Sequence, residues 1–159
     1  MHSAALAALL MRHHDNAAVQ DVLQRLDKDV LIGTLVYSDP ATGGHGWYPL
    51  SSKTRRNDDG SIQLIKYGSW STSAGFADFY VAQAASPDFD GDYSNLSVFL
   101  VFKDEIRANS DDWQALGMHG NQSSAMILEA KLPAGRVVGP IGDGAISNDE
   151  VVDDHSLTF

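Results

Sequence analysis

The sequence predicts a mainly β domain, an antiparallel barrel or sandwich preceded by two α-helices. Three observations carry that expectation. Helical periodicity is confined to the first 29 residues; beyond them, short β-branched and aromatic runs alternate with clusters of Gly, Pro, Asn, Asp and Ser; and no helical segment separates those runs. A chain of 159 residues is long enough for one core that removes roughly 70% of its unfolded surface from water.

Residues 4–12 are rich in Ala and Leu, the strongest helix formers. Asp15 or Asn16 can cap a second helix, in which Val19, Val22, Leu23 and Leu26 recur at i, i+3, i+4 and i+7 as one apolar stripe. Asp27-Lys28-Asp29 closes it, with Gly33 shortly beyond. From Val30 the period becomes strand-like, and strands are expected over 30–37, 62–67, 79–84, 97–102, 114–118 and 126–132. Turn clusters at Asn57-Asp58-Asp59-Gly60, Ser86-Pro87-Asp88, Asp90-Gly91-Asp92 and Ala108-Asn109-Ser110-Asp111 punctuate them. The pattern fades after Gly139. The expected organisation is therefore a helical segment over 1–29, a β-barrel domain over 30–140 and a loose acidic tail over 141–159.

Composition narrows the function classes. Eleven Lys and Arg stand against 21 Asp and Glu, a net charge of −10, which disfavours nucleic acid or an anionic membrane surface as partner. Without cysteine, disulfides, thiolate catalysis and Cys-ligated zinc are excluded. No apolar run approaches the roughly 20 residues of a membrane span. Residues 4–11 lack the basic flank and cleavage site of a signal peptide, so a cytoplasmic location is expected.

The chemistry-bearing residues concentrate in three stretches. In the first, a strand through Leu35 and Tyr37 runs into Ser38-Asp39-Pro40 and then Gly43-Gly44-His45. Proline fixes φ and removes a donor, and paired glycines let a ligand approach the backbone closely; the plain alternative is a tight surface turn. In the second, Lys66 to Asp78, Trp70 and Thr72 share a face on an extended chain. An indole beside a hydroxyl can cover an aromatic ring and bond its heteroatom edge, although a core Trp with a satisfied Thr has the same spacing. The third, residues 115–124, has two glycines punctuating a strand end.

Other clusters carry less. Asp88, Asp90 and Asp92 alternate as in a calcium loop, but Gly91 and Phe99 occupy the wrong loop positions, which favours a solvated hairpin loop. His13-His14 lacks a spaced ligand and reads as a helix end. Ser38, Asp39 and His45 lie too close in sequence to be ordered as a hydrolase triad.

In order, Ser38-Asp39-Pro40 with Gly43-Gly44-His45, Trp70-Ser71-Thr72-Ser73-Ala74 with Ala77-Asp78, and Leu116-Gly117-Met118-His119-Gly120-Asn121 resemble the acyl-CoA dehydrogenase family. That family shows Thr-Glu-Pro-x-x-Gly-Ser-Asp, Trp-Ile-Thr-Asn-Ala with a later Ala-Asp, and Leu-Gly-x-Arg-Gly-Ser. The resemblance extends over residues 1 to about 152. It implies the end of an N-terminal helical domain followed by the family's middle β-barrel. It also implies FAD as cofactor, with flavin contacts at Leu35, Tyr37, Ser38, Gly43, Gly44, Trp70, Ser71 and Thr72. Gly44 and His45 would face the acyl-CoA thioester.

The departures are specific. Asp39 replaces Glu, Gly44 replaces Ser, His45 replaces Asp, Ser71 and Ser73 replace Ile and Asn, and His119 and Asn121 replace Arg and Ser. Family members run to about 400 residues and draw their catalytic Glu from a C-terminal helical domain, so the resemblance implies a truncated, inactive fragment that other domains would have to complete. The implied activity of the complete enzyme is oxidation of the Cα–Cβ bond of an acyl-CoA, with an unidentified electron acceptor. The alternatives are a non-catalytic flavin- or partner-binding barrel and part of a flavin-dependent monooxygenase of the same fold. Apolar faces of the helices and barrel, covered by other domains in the family, are expected to be exposed here and to drive self-association.

Overall fold

The computed structural model describes residues 1–13, 15–41, 51–92, 94–108 and 113–147. Two helices open the chain, α1 (His2–His13) and α2 (Ala17–Leu26). Asn16 caps α2: its side-chain oxygen accepts the N–H groups of Ala18 (2.9 Å) and Val19 (3.4 Å), while its amide donates to the Val137 carbonyl at 2.8 Å. The cap therefore also fixes the helix to the far end of the β domain.

Among the described residues the β domain comprises β1 (Gly33–Val36), β2 (Lys53–Arg56), β3 (Ile62–Ser71), β4 (Phe79–Ala85), β5 (Leu96–Phe102), β6 (Ile106–Ala108), β7 (Ser124–Leu132) and β8 (Val137–Val138). They form two four-stranded sheets, in the orders β1-β4-β5-β8 and β2-β3-β7-β6. The pairings are antiparallel except β1 with β4, which is parallel and aligns Gly33 with Phe79.

The layers follow from the side-chain pattern. On β7 burial alternates strictly, with Met126, Leu128, Ala130 and Leu132 inward and Ile127, Glu129 and Lys131 outward, so one face of its sheet is solvated. β4 is buried along its whole length. Its alternate residues Tyr80, Ala82 and Ala84 meet Ile62, Leu64, Met126 and Leu128 of the opposite sheet, while Phe79 and Val81 meet Ala5, Ala8, Leu9, Val19 and Val22 of the helices. Helices, first sheet and second sheet thus stack as three layers around two apolar seams, which is why β4 and β5 read as nearly unbroken hydrophobic runs.

Several expectations need correction. Residues 114–118 are not a strand: left-handed backbone at Gly117 (φ +85°) and Met118 (φ +47°) breaks the extended run, and a short 3₁₀ turn, His119–Asn121, follows. The strand expected over 30–37 is shorter, beginning at Gly33 with Val30 almost wholly exposed, and the one expected over 62–67 continues to Ser71. The antiparallel expectation fails for the β1–β4 pair. Residues 141–147 are not loose. They include a short helix, α3 (Gly144–Ser147), a bridge from Asp143 to Leu96, and the Gly144 carbonyl accepting from Gln83 at 3.1 Å; residues 148–159 lie outside the described residues. Leu6, Leu10, Leu23 and Leu26 are partly buried against the helix-facing seam. The exposed large apolar side chains include Trp70, Phe76, Leu116 and Met118, in the sequence stretches that carry the family-like motifs.

Candidate functional site

The first two motifs meet at Ser38. Its hydroxyl donates to the Trp70 carbonyl at 2.8 Å and accepts the Trp70 N–H at 3.0 Å. Both main-chain polar groups of Trp70 are satisfied by one side chain from the loop after β1. The indole itself remains 66% exposed.

Trp70 borders an open cleft of about 900 Å³, whose walls include Asp39, Pro40, Tyr67, Ser69, Arg107 and Ile127. Tyr67, Ile127 and Arg107 stand in one row across β3, β7 and β6, on the outward face of the second sheet.

The third motif docks on the second. After β3 the chain turns, with Ser73 at φ +57°. The N–H groups of Ser73 and Ala74 donate to the carbonyls of Asn121 (3.1 Å) and Gln122 (3.2 Å), and Gly75 N–H donates to the Tyr80 hydroxyl at 3.1 Å. Burial pushes the Tyr80 phenol up to about 12, so it stays protonated at neutral pH. Thr72 Oγ1 pairs with Ser123 Oγ at 3.2 Å. Trp113 meets Trp70 edge to face, with ring centroids 6.3 Å apart, and its indole N–H donates to the Met118 carbonyl. Three motifs separated in sequence are therefore joined into one surface by hydrogen bonds and one aromatic contact.

The individual site residues fall out as follows. Leu35 is buried on the helix-facing seam, so only its backbone is available towards the other side of β1. The Tyr37 hydroxyl is buried and has no partner among the described residues, and burial raises its pKa. Ser71 is buried and faces the interior, where its hydroxyl also lacks a partner among the described residues. Thr72 is the first residue after the extended run, bonded to Ser123, and does not join Trp70 on the cleft wall. Gly43, Gly44 and His45 lie outside the described residues.

Sequence reasoning missed Trp113, whose partnership with Trp70 is long-range, and the buried pair of Lys66 with Asp39. Both of those side chains are fully excluded from solvent, 3.4 Å apart. Asp39 also accepts the N–H groups of Ala41 (3.0 Å) and Ser51 (2.8 Å) and the Ser51 hydroxyl (2.9 Å). Burial works against ionisation of its carboxyl, but those donors and the Lys66 ammonium together hold its pKa below the ordinary value. Desolvation lowers the Lys66 pKa, opposed by the charge and hydrogen bond of Asp39. The phase of β3 was the available signal: Lys66 follows Ile62 and Leu64 on the inward face.

A flat ring fits this surface on one observation. The exposed indole is a platform held by its backbone, leaving its ring free for contact. Ser69, on the cleft wall, carries a buried hydroxyl with no partner among the described residues. Thr34, Tyr37, Ser71, Gln122 and Ser124 carry buried polar atoms of the same kind, so this hydroxyl does not by itself mark a ligand.

No protein-family model matches this sequence, and none of the curated proteins does. Solved structures do match. Butyryl-CoA dehydrogenase from Megasphaera elsdenii is similar at 19% identity with a TM-score of 0.79, over 94% of this chain and 39% of its own. Glutaryl-coenzyme A dehydrogenase in complex with glutaryl-CoA is similar at 20% identity and 0.76, over 92% of this chain and 37% of its own. PigA with FAD and proline is similar at 17% identity and 0.72, over 94% and 39%. The chain thus spans about two fifths of the length of these proteins, and over nearly all of its own length it has the fold of acyl-CoA dehydrogenases.

Proposed function

We propose that this chain forms the ring-contacting wall of an FAD site in an oxidoreductase of the acyl-CoA dehydrogenase type. The observation that carries the reading is the convergence of the three motifs, with Ser38 clamping Trp70 beside an open cleft. FAD, when bound, would accept the hydride in oxidation of an acyl-CoA Cα–Cβ bond. In this reading the exposed Trp70 indole would hold the ring beside the cleft that Pro40 also lines. Leu35, Tyr37 and Ser71 contribute main-chain atoms, and Thr72 contributes its hydroxyl on release from Ser123. The family resemblance assigns backbone contacts with the ring to Gly43 and Gly44, and the thioester to Gly44 and His45; these three lie outside the described residues. This reading assigns no carboxylate among the described residues as the base and expects no acyl-CoA turnover by the chain alone. The electron acceptor is a separate partner.

Titration of the chain with FAD, followed by flavin fluorescence, tests the reading. Roughly micromolar affinity is expected, because the chain spans two fifths of the matched enzymes and each 1.4 kcal/mol of missing contact weakens binding tenfold. Trp70→Ala should weaken binding by about 1 kcal/mol, the worth of an aromatic pair beyond its area. Equal affinity for the two forms refutes the site.

A second reading, a flavin holder acting on something other than an acyl-CoA, is favoured by the similarity to a protein solved with FAD and proline. A shift of the bound-flavin spectrum on adding an acyl-CoA to the FAD-loaded chain supports the first reading, and no shift supports the second.

A further inference from the structure

Lys66 is an anomaly of the core. It occupies the inward phase of β3 after Ile62 and Leu64, between the two sheets, with no solvent contact. Removing an ammonium and a carboxylate from water costs several kcal/mol per ion, and apolar replacements of similar volume are often neutral or stabilising. Stability is therefore a poor reason for a charge at this place.

What the pair touches is more telling. Lys66 Nζ lies 3.4 Å from Asp39 Oδ2 and 3.5 Å from the Tyr37 carbonyl, so it holds the residues on both sides of Ser38. Ser38 in turn holds both main-chain groups of Trp70. Asp39 ties Ala41 and Ser51 to the same point, and Asp39 and Pro40 stand in the cleft wall.

We propose that the buried Lys66–Asp39 pair is a positioning device that sets Ser38, and through it the Trp70 platform, against the cleft. Lys66 and Asp39 touch no ligand in this role. The ammonium fixes the height of the 37–39 segment above β3, and the carboxylate draws the two flanking stretches onto that segment. An apolar side chain at position 66 would fill the space without specifying where Ser38 stands. Only the identity of the ring served by the platform rests on the flavin reading.

The test is the neutral double variant Asp39→Asn with Lys66→Met, made in the full chain beside both single variants. The double removes both charges together, so it remains informative if a single variant, left with one unpaired buried charge, does not fold. Amide exchange is read at Trp70, whose N–H donates to Ser38, and at Ala82 and Leu132 as core references. The expected result is exchange at Trp70 faster by about tenfold, with Ala82 and Leu132 at parent rates, as for a local opening. Parent-rate exchange at Trp70 in the folded double overturns the proposal, as does acceleration shared equally by all three amides.

FAD titration of the same proteins separates the two ideas. Faster Trp70 exchange with FAD affinity reduced at least threefold supports both. Faster Trp70 exchange with no FAD binding to the parent supports the positioning device and removes the flavin reading.

Discussion

Gly33→Ala should damage the junction of α1, β1 and β4, and its size can be worked from the geometry. A Cβ built on Gly33 would sit 2.2 Å from Phe79 Cζ, 2.3 Å from Cε2 and 2.9 Å from Cε1. Carbon atoms prefer separations of about 3.5–4.0 Å, so the ring must retreat by roughly 1.5 Å. It has nowhere easy to go. Phe79 is completely buried against Ala5, Leu9 and Val19, and His2 meets it at 6.4 Å between ring centroids. Overpacking of this kind costs about 1–3 kcal/mol, offset by the roughly 0.4–1 kcal/mol that Ala gains through the unfolded chain where the backbone suits it. Gly33 has no positive φ, so the offset applies in part. The net expectation is a loss of about 1–2 kcal/mol, or roughly 2–8 °C in melting temperature for a domain of this size. Adding Phe79→Leu should recover at least about 0.5 kcal/mol relative to the sum of the single effects, because the smaller side chain vacates the clash. Urea denaturation of the four proteins measures the cycle. A Gly33→Ala protein within 0.5 kcal/mol of the parent, or strict additivity with Phe79→Leu, refutes the packing argument.

Two further outcomes are expected. Leu128→Ala should cost about 2–5 kcal/mol while its neighbour Ile127→Ala costs under about 1, because β7 points the first into the inter-sheet core and the second towards solvent; equal denaturation midpoints for the two variants would contradict the assigned register. The Asp39 carboxyl has a folded pKa below its unfolded value, so its stabilisation is complete above the ordinary Asp pKa of about 3.9 and is lost as pH falls through the lower, folded value. The urea midpoint should therefore drop on acidification below about pH 4, and Asp39→Asn should flatten that drop. Parallel pH curves for the two proteins would show that Asp39 is not the group responsible.

The helices, a cap at Asp15 or Asn16 and the apolar strands were legible because periodicity and capping are local chemistry; the structure selects Asn16. β2 was not: Lys53-Thr54-Arg55-Arg56 has no apolar alternation and is a strand only because β3 pairs with it. β8 is two residues long and is defined by its ladder to Val98 and Phe99. A strand was expected over 114–118, yet Leu116 and Met118 are exposed, and left-handed backbone at 117 and 118 decides the local path. At the site, the motifs indicated which stretches belong together, but the Ser38 clamp, the Trp70–Trp113 contact and the Lys66–Asp39 pair are long-range geometry that no spacing rule contains. Lysine is ordinarily a surface residue, so the phase of β3 had to outweigh composition for Lys66 to be placed inside.

The order in which the chain visits the two sheets has a kinetic consequence. β1 belongs to the first sheet, β2 and β3 to the second, β4 and β5 to the first, β6 and β7 to the second, and β8 returns to the first. The parallel β1–β4 ladder can close only after the intervening β2–β3 hairpin has been looped out to the opposite layer, and β3 meets β7 only across β4 and β5. Loop-closure entropy is thus spent before most long-range contacts form, which places folding in the slow, millisecond-to-second range of β-rich domains. A single cut between β3 and β4 would leave each half with strands from both sheets and a complete ladder set for neither. The domain should accordingly unfold as one unit, and neither half should persist alone after proteolysis at that turn.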